Sequence, residues 1–229
     1  MANVKKFSDM RDIGHLCAHY ERSVKSGHYS NPDIDKERLE EDHTNLAPDR
    51  GKQTSYIKAK IEEIMDGRTL RKDAVRMCCW VVDAPKGLPE EKKEAFFKTV
   101  YDFLVERYGT KSGMGEDVVI SAYLHKSETT DHIHFAFLPV VERNGKKSFC
   151  AKEAVGREDL RTFHEDLARE LEVHGICQKS DILNGKTQRD ASGRALSVKQ
   201  LKRRAMERDR KVDRWTNQID RTERKISRW

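Results

Sequence analysis

The sequence predicts an α+β protein with a central antiparallel β-sheet, flanking helices and a long C-terminal helix. Two strand-like runs enclose a short polar turn near residues 126–131, which is the pattern of a β-hairpin. Several other segments carry apolar residues three and four positions apart, the spacing of amphipathic helices. The last segment repeats apolar residues in an imperfect heptad pattern up to Trp229.

The elements before the hairpin are assigned in chain order. Apolar residues recur at helical spacing over residues 8–24 and again over 53–66, so both segments are predicted to be helices. The polar stretch 25–50 between them contains Asn-Pro and Ala-Pro and is expected to be a long loop. Residues 74–83 are apolar on both faces, which predicts a central strand covered on two sides. A helix is then expected to begin at Pro89 and to stop at Gly109.

The hairpin and the elements after it complete the predicted sheet. We expect strands over residues 118–125 and 132–141, a turn at 143–146 and a further strand directly after it. A helix follows over residues 157–174, ended by Gly175. Its inward side is predicted to carry Leu160, Phe163, Leu167 and Leu171.

The charge distribution divides the chain into two predicted parts, a catalytic domain over residues 1–196 and a basic helix over 197–229. From Arg194 to Trp229 there are thirteen Lys and Arg against five Asp and Glu, a net charge of +8. The whole chain carries +6, so the body is close to neutral. Such a tail is either a solvated helix face or a surface attracted to nucleic acid phosphate. Because the heptad pattern is still running at Trp229, we expect the natural protein to be longer.

The cysteines and the apolar runs indicate the cellular compartment. The five cysteines form no Cys-x-x-Cys pair and no paired framework, which fits a reducing cytoplasm. No apolar run approaches the length of a membrane span, and the N-terminus has no signal-peptide core. The sequence therefore predicts a cytoplasmic protein without membrane contact in this segment.

A cluster of metal-ligand residues occupies the predicted hairpin: His125, Glu128, His132 and His134. Alternate residues of a strand share a face, so His132 and His134 point the same way, about 6.6 Å apart along the strand. His125 ends the preceding strand, and the turn folds it back against the pair. The three histidines are predicted to bind a catalytic metal ion with exchangeable positions, because a closed structural zinc site is typically rich in cysteine.

Two substrate classes suit such an ion, a phosphodiester or a carbonyl. The His-Glu-x-x-His helix of the common zinc peptidases is absent from the sequence. The basic tail favours the phosphodiester, whose non-bridging oxygens a metal ion can hold while charge develops in the transition state.

The hairpin cluster resembles the metal motif of the HUH endonuclease superfamily and, more closely, that of the MobV (Pre/Mob) plasmid mobilisation relaxases. The family motif is His-x-Asp-Glu, a short gap, and then Pro-His-hydrophobic-His. In this chain Ser127 stands where the family has Asp, and Asp131 stands where it has Pro. Both departures spare the expected ligands and change the turn between them.

Two further segments resemble motifs of the same family, and the three motifs occur along this chain in the family's order. Residues 18–22, Ala-His-Tyr-Glu-Arg, resemble the family's N-terminal His-x-Glu-Arg motif. Residues 70–75, Leu-Arg-Lys-Asp-Ala-Val, resemble its central segment. The resemblance covers about residues 10–205 and implies an HUH relaxase-like fold.

The resemblance also implies a reaction and a role for each site residue. Such relaxases nick one DNA strand at a transfer origin and stay joined to the 5′ phosphate. By motif position, His19 is the nucleophile, Glu128 is the base or holds an imidazole tautomer, and Arg22 stabilises phosphate charge. His125, His132 and His134 hold Mn²⁺ or Mg²⁺, and ligand softness favours Mn²⁺.

Alternatives to this assignment remain at the sequence level. Tyr20, Tyr29 or Tyr56 could be the nucleophile instead. On a helix, Tyr20 points about 100° away from His19, so we expect that both cannot face the metal. The chain could also be a non-catalytic origin-binding or replication-control protein on the same fold. A third reading is a metal hydrolase for small phosphodiesters, which would not need the basic tail.

The expected partners are single-stranded and hairpin DNA at a transfer origin, together with a homodimer formed through the region beyond Trp229. A basic groove and an inserted loop or helix are expected to hold the DNA. The residues predicted to contact it are Arg71, Lys72, Lys199, Lys202, Arg203 and Arg204.

Overall fold

The computed structural model describes residues 2–23, 34–183, 190, 192–194, 196, 200, 203–204, 206–207 and 210. These residues form the mixed α+β arrangement that the sequence predicts. The chain divides into two compact units, Met1–Asn184 and Gly185–Trp229. This division precedes the predicted domain boundary at residue 196, which stays a prediction.

The first unit is built on a four-stranded antiparallel sheet with the strand order β1-β2-β4-β3. Its strands are β1 (Ala2–Phe7), β2 (Met77–Asp83), β3 (Val119–His125) and β4 (His132–Phe137). The central strand β4 is buried throughout, and β2 is nearly so. The apolar run of β2 thus reflects cover on both faces, as the sequence predicts. A separate hairpin consists of β5 (Val140–Arg143) and β6 (Lys146–Phe149).

Helices lie on both faces of the sheet. The α-helices are α1 (Met10–Tyr20), α2 (Gln53–Met65), α3 (Glu90–Ser112), α4 (Ala151–Ala154), α5 (Arg157–Val173) and α6 (Lys179–Leu183). Two 3₁₀ helices span Lys36–His43 and Gly115–Val118.

Aromatic contacts fix α3 and α5 against one face of the sheet. Tyr108 of α3 stacks on Phe137 of β4 with ring centroids 4.1 Å apart. Phe163 of α5 stacks on Trp80 of β2 at 3.7 Å. The apolar core therefore lies mainly on this side of the sheet. The opposite face, beneath α1 and α2, carries the polar side chains of the candidate site.

The helices α1 and α2 cover the opposite face. The Tyr20 ring of α1 stacks on the His134 ring of β4, with centroids 4.6 Å apart. Gln53 at the start of α2 accepts a hydrogen bond of 2.6 Å from the Ser121 hydroxyl of β3. Its amide nitrogen donates to Glu21 at 2.6 Å, which joins α2 to the end of α1.

Five local features differ from the expectations. The strand β1 was not foreseen, and the expected loop 25–50 contains the 3₁₀ helix Lys36–His43. The helix expected to stop at Gly109 continues to Ser112 and ends at Gly113, which has a φ of 61°. Leu160 was expected inside but is 42% exposed. The strand expected to run to residue 141 ends at Phe137, and Pro139 separates it from β5.

Gly109 lies inside a helix for a packing reason. A Cβ atom at this position would lie 2.6 Å from the Gly115 carbonyl oxygen. The glycine therefore allows α3 to approach the chain that returns to β3, and Gly113 supplies the left-handed conformation that ends the helix.

In the second unit, helical conformation is described at residues 200, 203–204, 206–207 and 210. The remaining positions of the helix predicted over 197–229 lie outside the described residues. Within the part of the chain that the structure describes, every helix is too short or too polar to cross a lipid bilayer.

Candidate metal centre and the adjacent helix histidine

Strand register brings the three hairpin histidines together on the face beneath α1. His125 of β3 is the direct partner of His132 of β4, and directly opposed residues of antiparallel strands share a face. His134 follows two residues along the same strand and points the same way. The ring centroids lie 4.5 Å apart for His125 and His134, 4.8 Å for His132 and His134, and 5.2 Å for His125 and His132. All three side chains are buried.

Backbone carbonyl groups select the tautomers of two of these rings. The His132 Nδ1 atom lies 2.8 Å from the Thr130 carbonyl oxygen, to which it donates. The His125 Nε2 atom lies 3.1 Å from the Tyr20 carbonyl oxygen and donates to it. Each bond leaves the other ring nitrogen unprotonated, which is how metal-ligating histidines are commonly oriented.

The free ring nitrogens fit a divalent metal ion. The Nε2 atoms of His132 and His134 lie 3.0 Å apart. Two ligands about 2.1 Å from an ion and at right angles would be about 3 Å apart. Among the described residues, the buried Nδ1 atoms of His125 and His134 have no hydrogen-bond partner. Burial lowers the pKa of both histidines, which keeps their rings neutral and able to bind an ion.

Two overlapping groups of ligand atoms share His125. One group is His125, Glu128 and His132, and the other is His19, His125 and His134. Within each group the ligand atoms lie within 4.8 Å of one another. Neither group contains all three hairpin histidines: His125 lies with Glu128 and His132 in one group, and with His134 and the helix residue His19 in the other.

The helix α1 carries His19 to the hairpin. Asp9 caps its first turn by accepting a hydrogen bond from the Arg11 backbone, and Ile13, Cys17 and Tyr20 form its buried side. The His19 ring lies 5.2 Å from the His125 ring and 5.5 Å from the His134 ring, in edge-on contact with both. Burial, followed by the neighbouring His125, lowers the pKa of His19 to about 4, so its imidazole is neutral near pH 7.

Tyr20 presents its ring, and not its hydroxyl group, to the histidines. The ring stacks on His134, while the hydroxyl group lies against the Cys79 thiol of β2. Burial raises the pKa of the Tyr20 hydroxyl well above its ordinary value. Both helix residues therefore face the metal centre, contrary to the expectation that only one could, but they offer it different chemistry.

Arg22 ends α1 in a left-handed conformation that L-residues rarely adopt, with a φ of 51°. Ser23 N–H donates to the Ala18 carbonyl and Arg22 N–H to the His19 carbonyl, a Schellman arrangement in which glycine is usual. The Arg22 side chain is only 1% exposed. Its Nη2 atom donates to Glu128 Oε1 at 2.8 Å, and its Nε atom donates to Asp42 Oδ2 at 2.7 Å.

Glu128 lies between this arginine and the histidines. Its Oε1 atom is 3.7 Å from His125 Nδ1. Burial acts to raise the pKa of Glu128, but His125 and Arg22 outweigh it and lower the pKa to about 2. Glu128 is therefore a carboxylate at neutral pH and a weak proton acceptor.

Asp42 belongs to the site and was missed by the sequence reasoning. It is fully buried on the 3₁₀ helix Lys36–His43, inside the stretch expected to be a loop with little core. Nothing in the local pattern around Asp42 identifies it, because its partners Lys126 and Ser127 lie 84 and 85 residues away.

Of the residues predicted to contact DNA, Arg71 and Lys72 lie in the same unit as the candidate metal centre. Arg71 and Lys72 are exposed and precede β2, and Arg71 pairs with Asp73 at 2.6 Å. The metal centre lies at the opposite end of that strand, where Asp83 is the partner of His132. The seven residues of β2, which span about 20 Å, separate the two positions along the chain. Arg203 and Arg204 are exposed in the second unit, and Lys199 and Lys202 lie outside the described residues.

The fold and this site define the chain as a member of a plasmid-processing family. The model of the plasmid recombination enzyme family, Mob_Pre, matches residues 1–192. The chain belongs to this family, as its three motifs predict.

Similar proteins from several bacteria are named plasmid recombination enzymes. A plasmid recombination enzyme of Streptococcus agalactiae is 31% identical over 208 residues, which cover 86% of this chain and 39% of that protein. A plasmid recombination enzyme of Lactiplantibacillus plantarum is 28% identical over 78% of this chain and 46% of that protein. The chain thus spans less than half the length of the curated relatives it matches.

Solved structures confirm the fold. The MobM relaxase domain, bound to transfer-origin DNA of plasmid pMV158 and to Mn, superposes with a TM-score of 0.70 at 28% identity. That alignment covers 89% of this chain and 97% of the MobM domain. A second MobM complex with the same plasmid's DNA, also Mn-bound, gives a TM-score of 0.68 at 28% identity. The predicted relaxase-like fold is therefore confirmed.

Proposed function

We propose that this chain is the relaxase domain of a plasmid mobilisation protein and nicks one DNA strand at a transfer origin in a divalent-metal-dependent reaction. The observation that carries the proposal is the placement of a neutral helix histidine, His19, against three hairpin histidines. The family and the Mn-bound, DNA-bound MobM neighbours support it. Plasmid DNA as the substrate would place the reaction in the cytoplasm.

His125, His132 and His134 would hold the ion. When bound, a divalent ion offsets the charge that develops on the non-bridging oxygens of the scissile phosphate. Imidazole ligands favour Mn²⁺ over Mg²⁺, and Mn is the metal present in the MobM neighbours. The carbonyls of Tyr20 and Thr130 fix two of the three rings before any ion arrives.

His19 would act as the nucleophile. A neutral ring nitrogen attacks the phosphorus atom, a P–N bond forms to the 5′ phosphate, and the bond from phosphorus to the 3′ oxygen breaks. The departing 3′ oxygen takes up a proton, and the proton on the other nitrogen of the His19 ring is released. Burial favours this step because it keeps the His19 imidazole unprotonated near pH 7.

Glu128 and Arg22 would orient other groups of the site and would not react with DNA themselves. Glu128 has a pKa lowered to about 2, so pairing with Arg22 at the end of α1 suits it better than accepting a proton from His19. Arg22 is buried and already paired with two carboxylates, so it would hold Glu128 in place rather than meet a DNA phosphate directly.

DNA would be held at two distances from the nick. Single-stranded DNA must reach His19, whereas Arg71 and Lys72, which precede the other end of β2, would meet phosphates of the hairpin arm. Lys199, Lys202, Arg203 and Arg204 of the basic tail would add sequence-independent attraction to phosphate. The proposed partners also include a second copy of the protein, in a homodimer.

The test is the formation of a covalent protein–DNA adduct. The full 229-residue chain is incubated with Mn²⁺ and a panel of oligonucleotides that carry transfer origins from plasmids encoding family members. Each oligonucleotide has a dye at its 3′ end, so the fragment that stays on the protein is the labelled one. We expect a labelled band of protein size on a denaturing gel, which EDTA and His19→Ala abolish and Tyr20→Phe retains.

Two results would contradict the proposal. If Tyr20→Phe abolishes the adduct while His19→Ala keeps it, the nucleophile is the tyrosine. If the wild-type chain binds the oligonucleotides tightly but forms no adduct with any of them, the chain is a DNA-binding protein on a relaxase fold.

A further inference from the structure

A single buried carboxylate, that of Asp42, joins two separate parts of the candidate site. Its Oδ1 atom accepts hydrogen bonds from the backbone nitrogens of Lys126 at 2.6 Å and Ser127 at 2.8 Å. Its Oδ2 atom accepts from Arg22 Nε at 2.7 Å and from the Ser127 hydroxyl group. The Asp42 side chain has no exposed surface. A group that receives four hydrogen bonds in a dry environment is held firmly in one orientation.

These bonds act on the residues that flank the metal centre. Lys126 and Ser127 are the two residues between His125 and Glu128, so Asp42 fixes the backbone that orients both side chains. Arg22 lies three residues after His19 and donates to Glu128. The carboxylate of Asp42 thus ties the end of α1 to the hairpin turn.

Ser127 borders the same guanidinium group as Asp42. The Ser127 hydroxyl group lies 3.4 Å from Arg22 Nη2 and also donates to Asp42. A carboxylate at position 127 would therefore contact the same guanidinium group from the turn. If Asp42 is still present, a carboxylate at position 127 would lie beside a second buried negative charge, and the repulsion between the two would destabilise the site. One carboxylate, on residue 42 or on residue 127, is therefore sufficient to pair with the Arg22 guanidinium group from this side.

We propose that Asp42 is a positioning residue for the metal centre, and that Asp42 and Ser127 form an exchangeable pair that requires one carboxylate and one hydroxyl group. The identity of the reaction rests on the proposed function, but the positioning role concerns ion binding and can be tested without DNA. In this chain, Asp42 would supply from the 3₁₀ helix the carboxylate that the MobV motif carries in the turn.

The experiment measures the Mn²⁺ affinity of the full chain by isothermal titration calorimetry. The variants are Asp42→Ser, Ser127→Asp and the double exchange, and Glu41→Gln is the control. Glu41 is the adjacent carboxylate on the same 3₁₀ helix, and its side chain is 45% exposed and paired only with surface Arg38 in the described contacts. We expect each single exchange to weaken binding about 10–100-fold, the range for residues that orient metal ligands. The double exchange should bind Mn²⁺ at least about tenfold more tightly than either single variant. Glu41→Gln should bind Mn²⁺ with the affinity of the wild type.

Folding is followed in parallel by circular dichroism and thermal melting. Asp42→Asn keeps the side-chain volume and serves if Asp42→Ser does not fold. The proposal is overturned if the folded Asp42 variants bind Mn²⁺ as the wild type does, because the role is then only structural. A double exchange that binds no better than the tighter-binding single variant refutes the exchangeable pair.

If the positioning role of Asp42 is wrong, the experiments give a different result than if the proposed function is wrong. A wild-type chain that binds Mn²⁺ and shows the expected rescue, but forms no DNA adduct, contradicts the function alone. Adduct formation with Asp42 variants of unchanged Mn²⁺ affinity contradicts the positioning role alone. A wild-type chain that does not bind Mn²⁺ contradicts both.

Discussion

Two neighbouring residues of α1, His19 and Tyr20, both reach the three histidines, but they offer them different atoms. His19 brings the edge of a neutral imidazole with unprotonated nitrogen, whereas Tyr20 brings a ring face and keeps its hydroxyl group against Cys79. A nucleophile must present a lone pair to the phosphorus atom. At the residue scale, the geometry therefore favours His19.

The contribution of one ligand can be measured by removing it. We predict that His134→Ala lowers the Mn²⁺ affinity by at least tenfold, because two of three imidazole ligands remain. His164→Ala is the matched control, since His164 is a half-buried histidine on α5 that contacts the Ala2 carbonyl. Calorimetric titration of both variants with Mn²⁺ gives the comparison. Equal affinities for His134→Ala and His164→Ala would remove His134 from the metal centre.

The residues of the site differ in how far the sequence could predict them. The hairpin histidines are predictable because strand periodicity and a short turn alone bring them to one face. His19 and Arg22 required the motif resemblance, since over a hundred residues separate them from the hairpin. Asp42 was not predictable, because its role depends on tertiary contacts with residues that no local pattern connects to it.

At the scale of elements, the structure shows where local patterns were misleading. The strand β1 has two adjacent lysines and little alternation, and it is defined by its pairing with β2. The 3₁₀ helix Lys36–His43 lies in a polar stretch, and the one buried residue of this helix is Asp42. Longer, strongly periodic segments such as α2 and α5 were predicted to within a few residues, because their buried faces are visible in the sequence.

The two glycines inside long helices should respond oppositely to the same substitution. We predict that Gly109→Ala destabilises the chain by about 1–3 kcal/mol, because the new methyl group would meet the Gly115 carbonyl. Gly14→Ala in α1 is the control: its Cβ would make only an ordinary contact of 4.0 Å with Thr54. Alanine there should be neutral or stabilise by up to about 1 kcal/mol. Urea unfolding of both variants measures the difference, and a Gly109→Ala chain as stable as Gly14→Ala would refute the packing role of Gly109.

At the scale of the whole molecule, the chain separates a packed body from a basic tail. Within the described residues, the largest fully buried side chains all belong to the unit Met1–Asn184, from Ile13 to Phe163. The metal centre, α1 and Asp42 lie in the same unit. The excess positive charge lies after Arg194. Folding and ion binding are thus expected to depend on the body, and long-range attraction to DNA on the tail.

Truncation after Asn184 tests this division. We predict that residues 1–184 keep the Mn²⁺ affinity and a cooperative thermal transition, because the buried apolar residues that the structure describes lie between Ala2 and Ile176. Their affinity for DNA should fall and depend less steeply on salt, since fewer phosphates are neutralised. Fluorescence anisotropy with a single-stranded oligonucleotide at several salt concentrations measures both quantities. An unchanged affinity and an unchanged salt slope would show that the tail does not bind DNA.

The central claim is that His19 becomes covalently joined to DNA, and peptide mass spectrometry of the adduct tests it most directly. After nuclease treatment and trypsin digestion at neutral pH, the modified peptide should be residues 12–22, DIGHLCAHYER, which contains His15, His19 and Tyr20. We predict that fragmentation places the nucleotide mass on His19 and that the modification is lost in acid, as expected for a P–N bond. The same mass on Tyr20, stable in acid, or on any residue outside this peptide would contradict the account.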